Sequence, residues 1–253
     1  MFKQIQKVFK EKNILFHENQ GITIATVANS HEGFSLAKEI FSKIVDNKTA
    51  FYLSGGSTPK VLYEQFAKDE SLKPGAVGVI DERYGKPFHD TSNEKMFRET
   101  GLLRYLQMRG VPFYPMLKGK SREETADAYD EELRKLNANY SKSVAILGIG
   151  ADGHTAGIAP KREDFTNPVF ETSRKDLFVS EFDDPTGYFK ERVTMTFLAL
   201  QHLDLLVILA FGEEKKKALE LVFTSGSEAE IPARFLIRPE IAKKTLFITD
   251  QRI

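Results

Sequence analysis

Short hydrophobic runs without a polar face alternate along the chain with stretches in which apolar residues recur at helical spacing. Such runs are typical of strands buried on both faces of a sheet, and the amphipathic stretches are typical of helices that cover it. Two clear runs are residues 143–149 and 205–211. One amphipathic stretch has its apolar positions at Phe34, Ala37, Ile40, Phe41 and Ile44. The alternation predicts an α/β fold: a doubly wound, mostly parallel, Rossmann-like sheet with helices on both faces.

Polar and glycine-rich junctions divide the chain into these elements. Ser30, Thr58, Ser92 and Ser121 each fit a helix N-cap, and the segment after Ser121 has the spacing of a capping box. The helix after Ser92 is predicted to continue without a break toward Gln107. Predicted strands cover residues 21–28, 49–53, 76–80, 111–114, 143–149, 176–180, 192–196, 205–211 and 244–248.

Composition narrows the class of protein. The 253 residues suffice for one large α/β domain, and no repeat or composition break divides them, so we expect a single domain over 1–253. Lys+Arg and Asp+Glu both number 36, so no net charge draws the chain to nucleic acid or to a membrane. The absence of cysteine excludes disulfides and thiolate nucleophiles. With no secretory pattern and no membrane-length apolar run, we expect a cytoplasmic protein.

The run at 143–149 leads into the glycine-rich sequence GIGADGH, which ends at His154. An imidazole at the carboxyl end of a buried strand lies where open α/β sheets bind their ligands. The same letters fit the GxGxxG pattern of dinucleotide sites, but that motif needs a helix directly behind it, and Gly157 and Pro160 disfavour one. A structural turn with a buried histidine is the plainer alternative. We favour a catalytic His154.

The segment SGGSTP follows the predicted strand at 49–53 and opens a helix, with Thr58 at the N-cap and Pro59 at the first helical position. Its glycines expose backbone N–H groups, and its hydroxyl groups add donors near the positive end of the helix dipole. This pattern predicts an anion site, most naturally for a phosphate, and a well-capped turn is the alternative. The predicted donors are Ser54, Gly55, Gly56, Ser57 and Thr58.

Further charged residues stand at strand ends. The sequence DER at 81–83 follows the predicted strand at 76–80, Arg192 opens another strand, and Lys215 follows the strand at 205–211. The carboxyl ends of parallel strands meet at one edge of a sheet. Most of these side chains are therefore predicted to share one crevice with the two glycine-rich loops.

These motifs, in this order, resemble those of 6-phosphogluconolactonases, within the wider superfamily of glucosamine-6-phosphate isomerases and deaminases. The resemblance spans about Ile22 to Ile248, and its most specific parts are SGGSTP and GIGADGHTA. It implies the sheet architecture of glucosamine-6-phosphate deaminases and ribose-5-phosphate isomerases. It also implies hydrolysis of 6-phospho-D-glucono-1,5-lactone to 6-phosphogluconate in the oxidative pentose phosphate pathway, without metal or cofactor. The implied partner is a small sugar phosphate, and either a monomer or a homodimer is compatible with the motifs.

The resemblance implies roles for individual residues. His154 corresponds to the acid/base group, Asp81 to a carboxylate of the superfamily active site, and Asp152 to a carboxylate beside the histidine. Cations near the substrate phosphate are implied at Arg83, Arg192 and Lys215.

A lactone carbonyl is reactive enough for direct attack by a water that a histidine activates, and the ordinary histidine pKa of about 6.5 suits that task. Asp152 is expected either to fix the imidazole tautomer or to act as a helix cap. Backbone N–H groups of two loops are candidates for stabilising the oxyanion, those at 55–57 and those at Gly150 and Gly153. The sequence leaves this choice open.

Differences between the deaminases and the lactonases of the superfamily bear on the choice of function. Deaminases of the superfamily carry a glutamate where this chain has Ala159 and tend to have tyrosine where it has Arg83, which favours the lactonase. Lactonases usually continue ASLFP after the histidine block, whereas residues 156–160 read AGIAP, so Gly157 and Ala159 are expected to remove bulk from the wall of the site. A deaminase, or a non-catalytic sugar-phosphate-sensing module, stays as an alternative, although we expect no segment of these 253 residues to serve as a DNA-binding extension.

Overall fold

A computed structural model of the chain describes residues 1–170, 176–185 and 187–253. The strands are β1 (Leu15–Asn19), β2 (Ile22–Thr26), β3 (Thr49–Leu53), β4 (Ala76–Val79), β5 (Asp81–Arg83), β6 (Lys142–Leu147), β7 (Val179–Asp183), β8 (Glu191–Met195), β9 (Leu205–Ala210) and β10 (Thr245–Thr249). The α-helices are α1 (Phe2–Lys12), α2 (Ser30–Ile44), α3 (Ser57–Asp69), α4 (Asn93–Glu99), α5 (Leu102–Met108), α6 (Arg122–Asn139), α7 (Phe197–His202), α8 (Lys216–Val222) and α9 (Pro239–Ala242). Short 3-10 helices cover Pro168–Phe170, Glu213–Lys215 and Pro232–Ile237. Within this described part of the chain, none of the helices has the length and hydrophobicity needed for a bilayer span.

Seven strands of the described residues form the main sheet, in the order β1-β2-β10-β9-β6-β3-β4. Neighbouring strands are parallel except at one edge, where β1 pairs antiparallel with β2. Every side chain of β3, β9 and β10 is buried. Because successive side chains of a strand point to opposite faces, these strands are covered on both faces. The prediction of a doubly wound, mostly parallel sheet is confirmed.

A smaller antiparallel sheet, ordered β5-β8-β7 within the described chain, was not predicted. It separates from the main sheet at Ile80. The Ile80 N–H donates to Leu53 O of the main sheet at 2.8 Å, and the Ile80 carbonyl accepts from the Met195 N–H of the small sheet at 2.8 Å. As a result Arg83 lies directly opposite Arg192 in the small sheet. The two arginines therefore do not stand at the edge of the main sheet, where the sequence placed them.

Two predicted helix starts are shifted in the structure. Asn29 caps α2, and Ser30 is the first helical residue. Both residue types are good N-caps, so the sequence could not separate them. Helix α3 begins at Ser57 with Gly56 as its N-cap residue, so Thr58 already lies inside the helix.

Other predicted elements also differ. The helix expected to continue after Ser92 is divided into α4 and α5 by Gly101, whose φ of 81° is left-handed. The predicted strand at 111–114 contributes only an isolated bridge to Val77. Helix α1 and the edge strand β1 were not predicted. The capping box at Ser121 is confirmed.

Two buried carboxyl groups join β5 to α4. Glu82 is fully buried, and its Oε1 accepts from the N–H groups of Arg83 at 2.7 Å and Asn93 at 2.8 Å. Its Oε2 accepts from the Glu94 N–H at 2.9 Å. Glu94 is equally buried and accepts from the N–H groups at 116–117 at 2.6 and 3.0 Å. These contacts hold β5, and the charged residues on it, against the start of α4.

Stability is expected to fall as the pH rises from about 5 to about 8. Burial raises the pKa of Glu82 to about 8, with repulsion from Glu94 adding to it, and burial raises the pKa of Glu94 to about 7. In the unfolded chain both groups ionise near a pKa of about 4.3. The folded state therefore binds more protons in this range, and the free energy of unfolding decreases by up to about 1.4 kcal/mol per pH unit for each group.

Urea unfolding across this pH range measures the slope. Glu94→Gln should make the slope shallower, because it removes one of the two titrations. The control Glu99→Gln, at an exposed position of the same helix, should keep the wild-type slope. A wild-type free energy of unfolding that does not change with pH would contradict the prediction.

Candidate active site

A cavity of about 430 Å³ lies where the carboxyl ends of β3, β4, β6 and β9 meet the small sheet. This volume suits a small metabolite. The predicted site residues that line it are Ser54, Gly55, Gly56, Ser57, Thr58, Asp81, Arg83, Gly150, Asp152, His154, Arg192 and Lys215. Gly153 does not line it: a Cβ there would lie 2.8 Å from the Ile231 side chain, so that position faces protein.

His154 and Asp152 form a hydrogen-bonded pair on the loop that follows β6. The distance between His154 Nδ1 and Asp152 Oδ1 is 2.6 Å, and the same oxygen accepts from the His154 N–H at 3.1 Å. Partial burial raises the pKa of Asp152, but the hydrogen bonds from His154 outweigh it and hold that pKa at about 2. An ionised carboxylate can only accept, so His154 Nδ1 carries the proton and Nε2 of the neutral ring has a free lone pair.

Two N–H groups of the turn at 150–154, which carries Asp152 and His154, donate to carbonyl oxygens of the same turn. The Gly150 N–H donates to His154 O at 2.9 Å, and the Gly153 N–H donates to Gly150 O at 3.0 Å. A Cβ at Gly150 would collide with the His154 ring and lie 2.7 Å from Asp152 Oδ1, so glycine is needed for this close approach. Because both N–H groups are already paired, the alternative in which Gly150 and Gly153 bind an oxyanion is disfavoured.

The loop after β3 has donors that are not used. Among the described residues, the N–H groups of Gly55 and Gly56 have no acceptor. The Ser54 Oγ is buried and also has no partner within that part of the chain. The buried Tyr63 hydroxyl donates to Ser54 O at 2.9 Å and holds the start of the loop. Since α3 begins at Ser57, its first N–H groups add to this set, as an anion site requires.

Two arginines bring positive charge to the opposite wall. The ring centroid of Phe189 is 4.1 Å from Arg83 Cζ and 5.8 Å from Arg192 Cζ. The Nε atom of each guanidinium is buried and lacks a hydrogen-bond partner within the described chain. Burial lowers the pKa of Arg192, and the nearby Asp81 carboxylate opposes that shift. Like charges at opposite positions of paired strands repel each other. An anion bound in the cavity next to both arginines would reduce this repulsion and give the buried Nε–H groups an acceptor.

Asp81 packs closely against Gly157. Gly157 has a φ of 68°, and a Cβ there would lie 2.8 Å from Asp81 Oδ2. The expectation that Gly157 simply removes bulk from the wall is therefore incomplete, because a side chain at this position would press on the Asp81 carboxylate. Ala159 lines the cavity and is almost fully buried.

Lys215 reaches the cavity from the 3-10 helix that follows β9 and is half-buried. Lys216 and Lys217 are exposed and do not line it. Of the three consecutive lysines, the cavity is therefore lined by Lys215, the one that the family resemblance implies.

Sequence reasoning missed several residues of the cavity. Arg162 and the nearly fully buried Asp184 form an ion pair that joins two loops at its mouth. Phe189 lies beside the arginines, and Tyr188 is 91% exposed at the rim. Of these segments only the sequence DDPTG at 183–187, whose residue types are typical of a turn, gave a signal, and it did not indicate which residue faces the cavity.

Within residues 1–170, 176–185 and 187–253, no group of three or more His, Asp or Glu side chains is arranged to hold a metal ion. The Asp152 and Asp81 carboxylates of the cavity contact His154 and Asn93, respectively. Besides these carboxylates, the cavity presents imidazole, guanidinium, ammonium, hydroxyl and N–H groups to its contents.

Comparison with known proteins gives the family. The model of a family described as glucosamine-6-phosphate isomerases/6-phosphogluconolactonase matches residues 33–247. The 6-phosphogluconolactonase of Rhizobium meliloti is 31% identical over 189 residues, which cover 74% of this chain and 78% of that protein. A glucosamine-6-phosphate deaminase of Ligilactobacillus salivarius is 24% identical over 219 residues, covering 84% and 91%. The structure of 6-phosphogluconolactonase from Plasmodium vivax has the same fold, with a TM-score of 0.76 at 17% identity and coverage of 98% and 96%. The chain belongs to the glucosamine-6-phosphate isomerase/6-phosphogluconolactonase family.

Proposed function

We propose that the chain is a 6-phosphogluconolactonase, which hydrolyses 6-phospho-D-glucono-1,5-lactone to 6-phosphogluconate in the oxidative pentose phosphate pathway. The observation that carries the proposal is the His154–Asp152 pair in a cavity that also holds Arg83, Arg192 and the unpaired donors of the Ser54–Pro59 loop. This arrangement offers a base for water and positive charge for a phosphate in one place. The similarity to named lactonases supports the same activity.

In this proposal His154 acts as general base and then as general acid. Its Nδ1–H stays hydrogen-bonded to the Asp152 carboxylate. Nε2 takes a proton from the attacking water as the water oxygen bonds to the lactone carbonyl carbon. The tetrahedral intermediate collapses by breaking the bond to the ring oxygen. Nε2 returns its proton to that oxygen, so the product is the open-chain acid and the enzyme is regenerated.

The oxyanion of the intermediate needs donors that are free before the reaction. The N–H groups of Gly55 and Gly56 have no acceptor in the described chain, whereas those of Gly150 and Gly153 are paired within their turn. We therefore assign charge stabilisation to the Ser54–Pro59 loop, whose donors serve the oxyanion or the phosphate. Asp81 is the carboxylate that accepts from a substrate hydroxyl or from the attacking water.

The phosphate is a remote handle that orients the carbonyl against His154. Arg83, Arg192 and Lys215 are the cations that line the cavity, and their binding energy can be used to fix the reacting geometry. This partner is a small sugar phosphate. A cysteine-free sequence is compatible with activity in a reducing cytoplasm.

The lactonase is favoured over the deaminase by the wall near His154. The glutamate that deaminases carry corresponds to Ala159, which lines the cavity. Its methyl group cannot transfer a proton as a glutamate carboxyl group can. A sensing module is disfavoured by the paired imidazole, because binding alone does not require a base held in one tautomer.

The test compares two substrates with the purified protein. Acid release from freshly prepared 6-phosphogluconolactone is followed at constant pH and corrected for spontaneous opening, and ammonia release is followed with glucosamine 6-phosphate. We expect rapid lactone hydrolysis and no ammonia. Ammonia release would identify a deaminase, and binding of 6-phosphogluconate without turnover of either substrate would identify a sensor.

A further inference from the structure

Asn93 connects two segments of the cavity wall, the Ser54–Pro59 loop and the start of β5 at Asp81. It is the first residue of α4 and is 1% exposed. Its Nδ2 donates to Asp81 O at 2.8 Å and makes a longer contact of 3.4 Å with Asp81 Oδ2. Its amide also lies against Gly55, where an added Cβ would collide with it. The side chain therefore lies against Gly55 of the Ser54–Pro59 loop and also contacts the Asp81 carboxylate.

Glu82 holds Asn93 in this position. Successive residues of β5 point to opposite faces, so Asp81 and Arg83 face the cavity while Glu82 points to the protein interior. The Glu82 carboxyl group accepts from the N–H groups of Asn93 and Glu94, which are the first two of α4. The start of the helix is thereby fixed to the strand that carries Asp81, and the direction of the Asn93 side chain is fixed with it.

The Asp81 carboxylate is confined on two sides. Asn93 Nδ2 approaches Oδ2 from one side, and the backbone of Gly157 lies close to the same oxygen. A neutral amide donor can hold a carboxylate in place without neutralising its charge. A lysine or arginine at position 93 would form an ion pair and take that charge away from the substrate.

We propose that Asn93 is a positioning residue that aims the Asp81 carboxylate at the substrate, with Glu82 anchoring Asn93 from behind. This role rests on the proposed lactonase function, in which Asp81 contacts the substrate or the attacking water. Asn93 does not line the cavity itself and acts through Asp81.

A double-mutant cycle on kcat tests the proposal. Asn93→Ala removes the amide but keeps the backbone N–H that Glu82 binds. In the wild-type background it is expected to lower kcat about ten- to 100-fold, the range for losing a hydrogen bond to a charged group, with KM changed less than about threefold. In an Asp81→Asn background the same change should lower kcat by less than about twofold, because the carboxylate it positions is already gone.

Two further variants separate positioning from folding. Asn137→Ala removes a half-buried amide on α6 that accepts from Tyr52 away from the cavity, and it should leave kcat unchanged. Asn93→Ser keeps a polar group at the helix start and should show the same dependence on Asp81 if Asn93→Ala unfolds. Thermal unfolding of each variant verifies that the assays are made on folded protein.

The outcomes are distinct. An unchanged kcat in a folded Asn93 variant overturns the role, as does an equal loss in both backgrounds, which would indicate a general structural effect. Full activity of Asp81→Asn overturns it as well, since no carboxylate would then need positioning. A wild-type protein without lactonase activity overturns the proposed function and this role together, whereas an active wild type with an additive cycle overturns only the role of Asn93.

Discussion

Replacing His154 with alanine is expected to lower kcat for 6-phosphogluconolactone hydrolysis by about two orders of magnitude or more. The variant loses the only imidazole that lines the cavity within the described chain, and with it the group that takes the proton from water. KM should change little, because the phosphate contacts are untouched. Initial rates at several substrate concentrations, corrected for spontaneous lactone opening, measure both constants.

A matched histidine provides the control. His31 is exposed on α2 and does not line the cavity, so His31→Ala should keep the wild-type kcat. If His154→Ala hydrolyses the phosphorylated lactone at the wild-type rate, His154 is not the base and the mechanism is wrong. A loss in both variants would point to a defect of the preparation.

Arg192→Gln is expected to raise KM for the phosphorylated lactone about ten- to 100-fold, the range for one hydrogen bond to a charged group. Glutamine keeps most of the side-chain length but removes the charge beside Phe189 and opposite Arg83. The reacting carbonyl is held elsewhere, so kcat at saturation should fall by less than about threefold. Steady-state kinetics with 6-phosphogluconolactone test this, and unphosphorylated gluconolactone tests whether the effect depends on the phosphate.

The control for this charge is Arg104→Gln, at an exposed position of α5 outside the cavity, which should leave KM unchanged. A large fall in kcat with an unchanged KM for Arg192→Gln would place Arg192 at the reacting carbonyl. An equal rise of KM for the unphosphorylated lactone would show that Arg192 binds the sugar ring and not the phosphate.

The parts of the fold that could be predicted are those with local signals. The run before Gly148 and the run before Gly212 have no polar face, and both are central strands. The glycine-rich loops could be located because glycine and hydroxyl residues cluster directly after such runs. His154 was predicted for the same reason, since it stands at the end of one of these loops.

The parts that could not be predicted depend on contacts between distant residues. Ile80 divides its hydrogen bonds between two sheets, and nothing in the neighbouring sequence indicates that division. The opposition of Arg83 and Arg192 follows from it. Asn93 reads in the sequence as an ordinary first residue after a serine cap, and its contact with Asp81 exists only because Glu82 draws α4 onto β5.

The division at Ile80 also separates the residues of the cavity into two groups. His154 and the Ser54–Pro59 loop belong to the large sheet, whereas Arg83 and Arg192 belong to the small one. In the proposed mechanism the base therefore stands on one sheet and two of the three cations for the phosphate stand on the other, and Ile80 bonds to both sheets. A substitution within the small sheet is thus expected to alter phosphate binding while leaving the position of His154 unchanged.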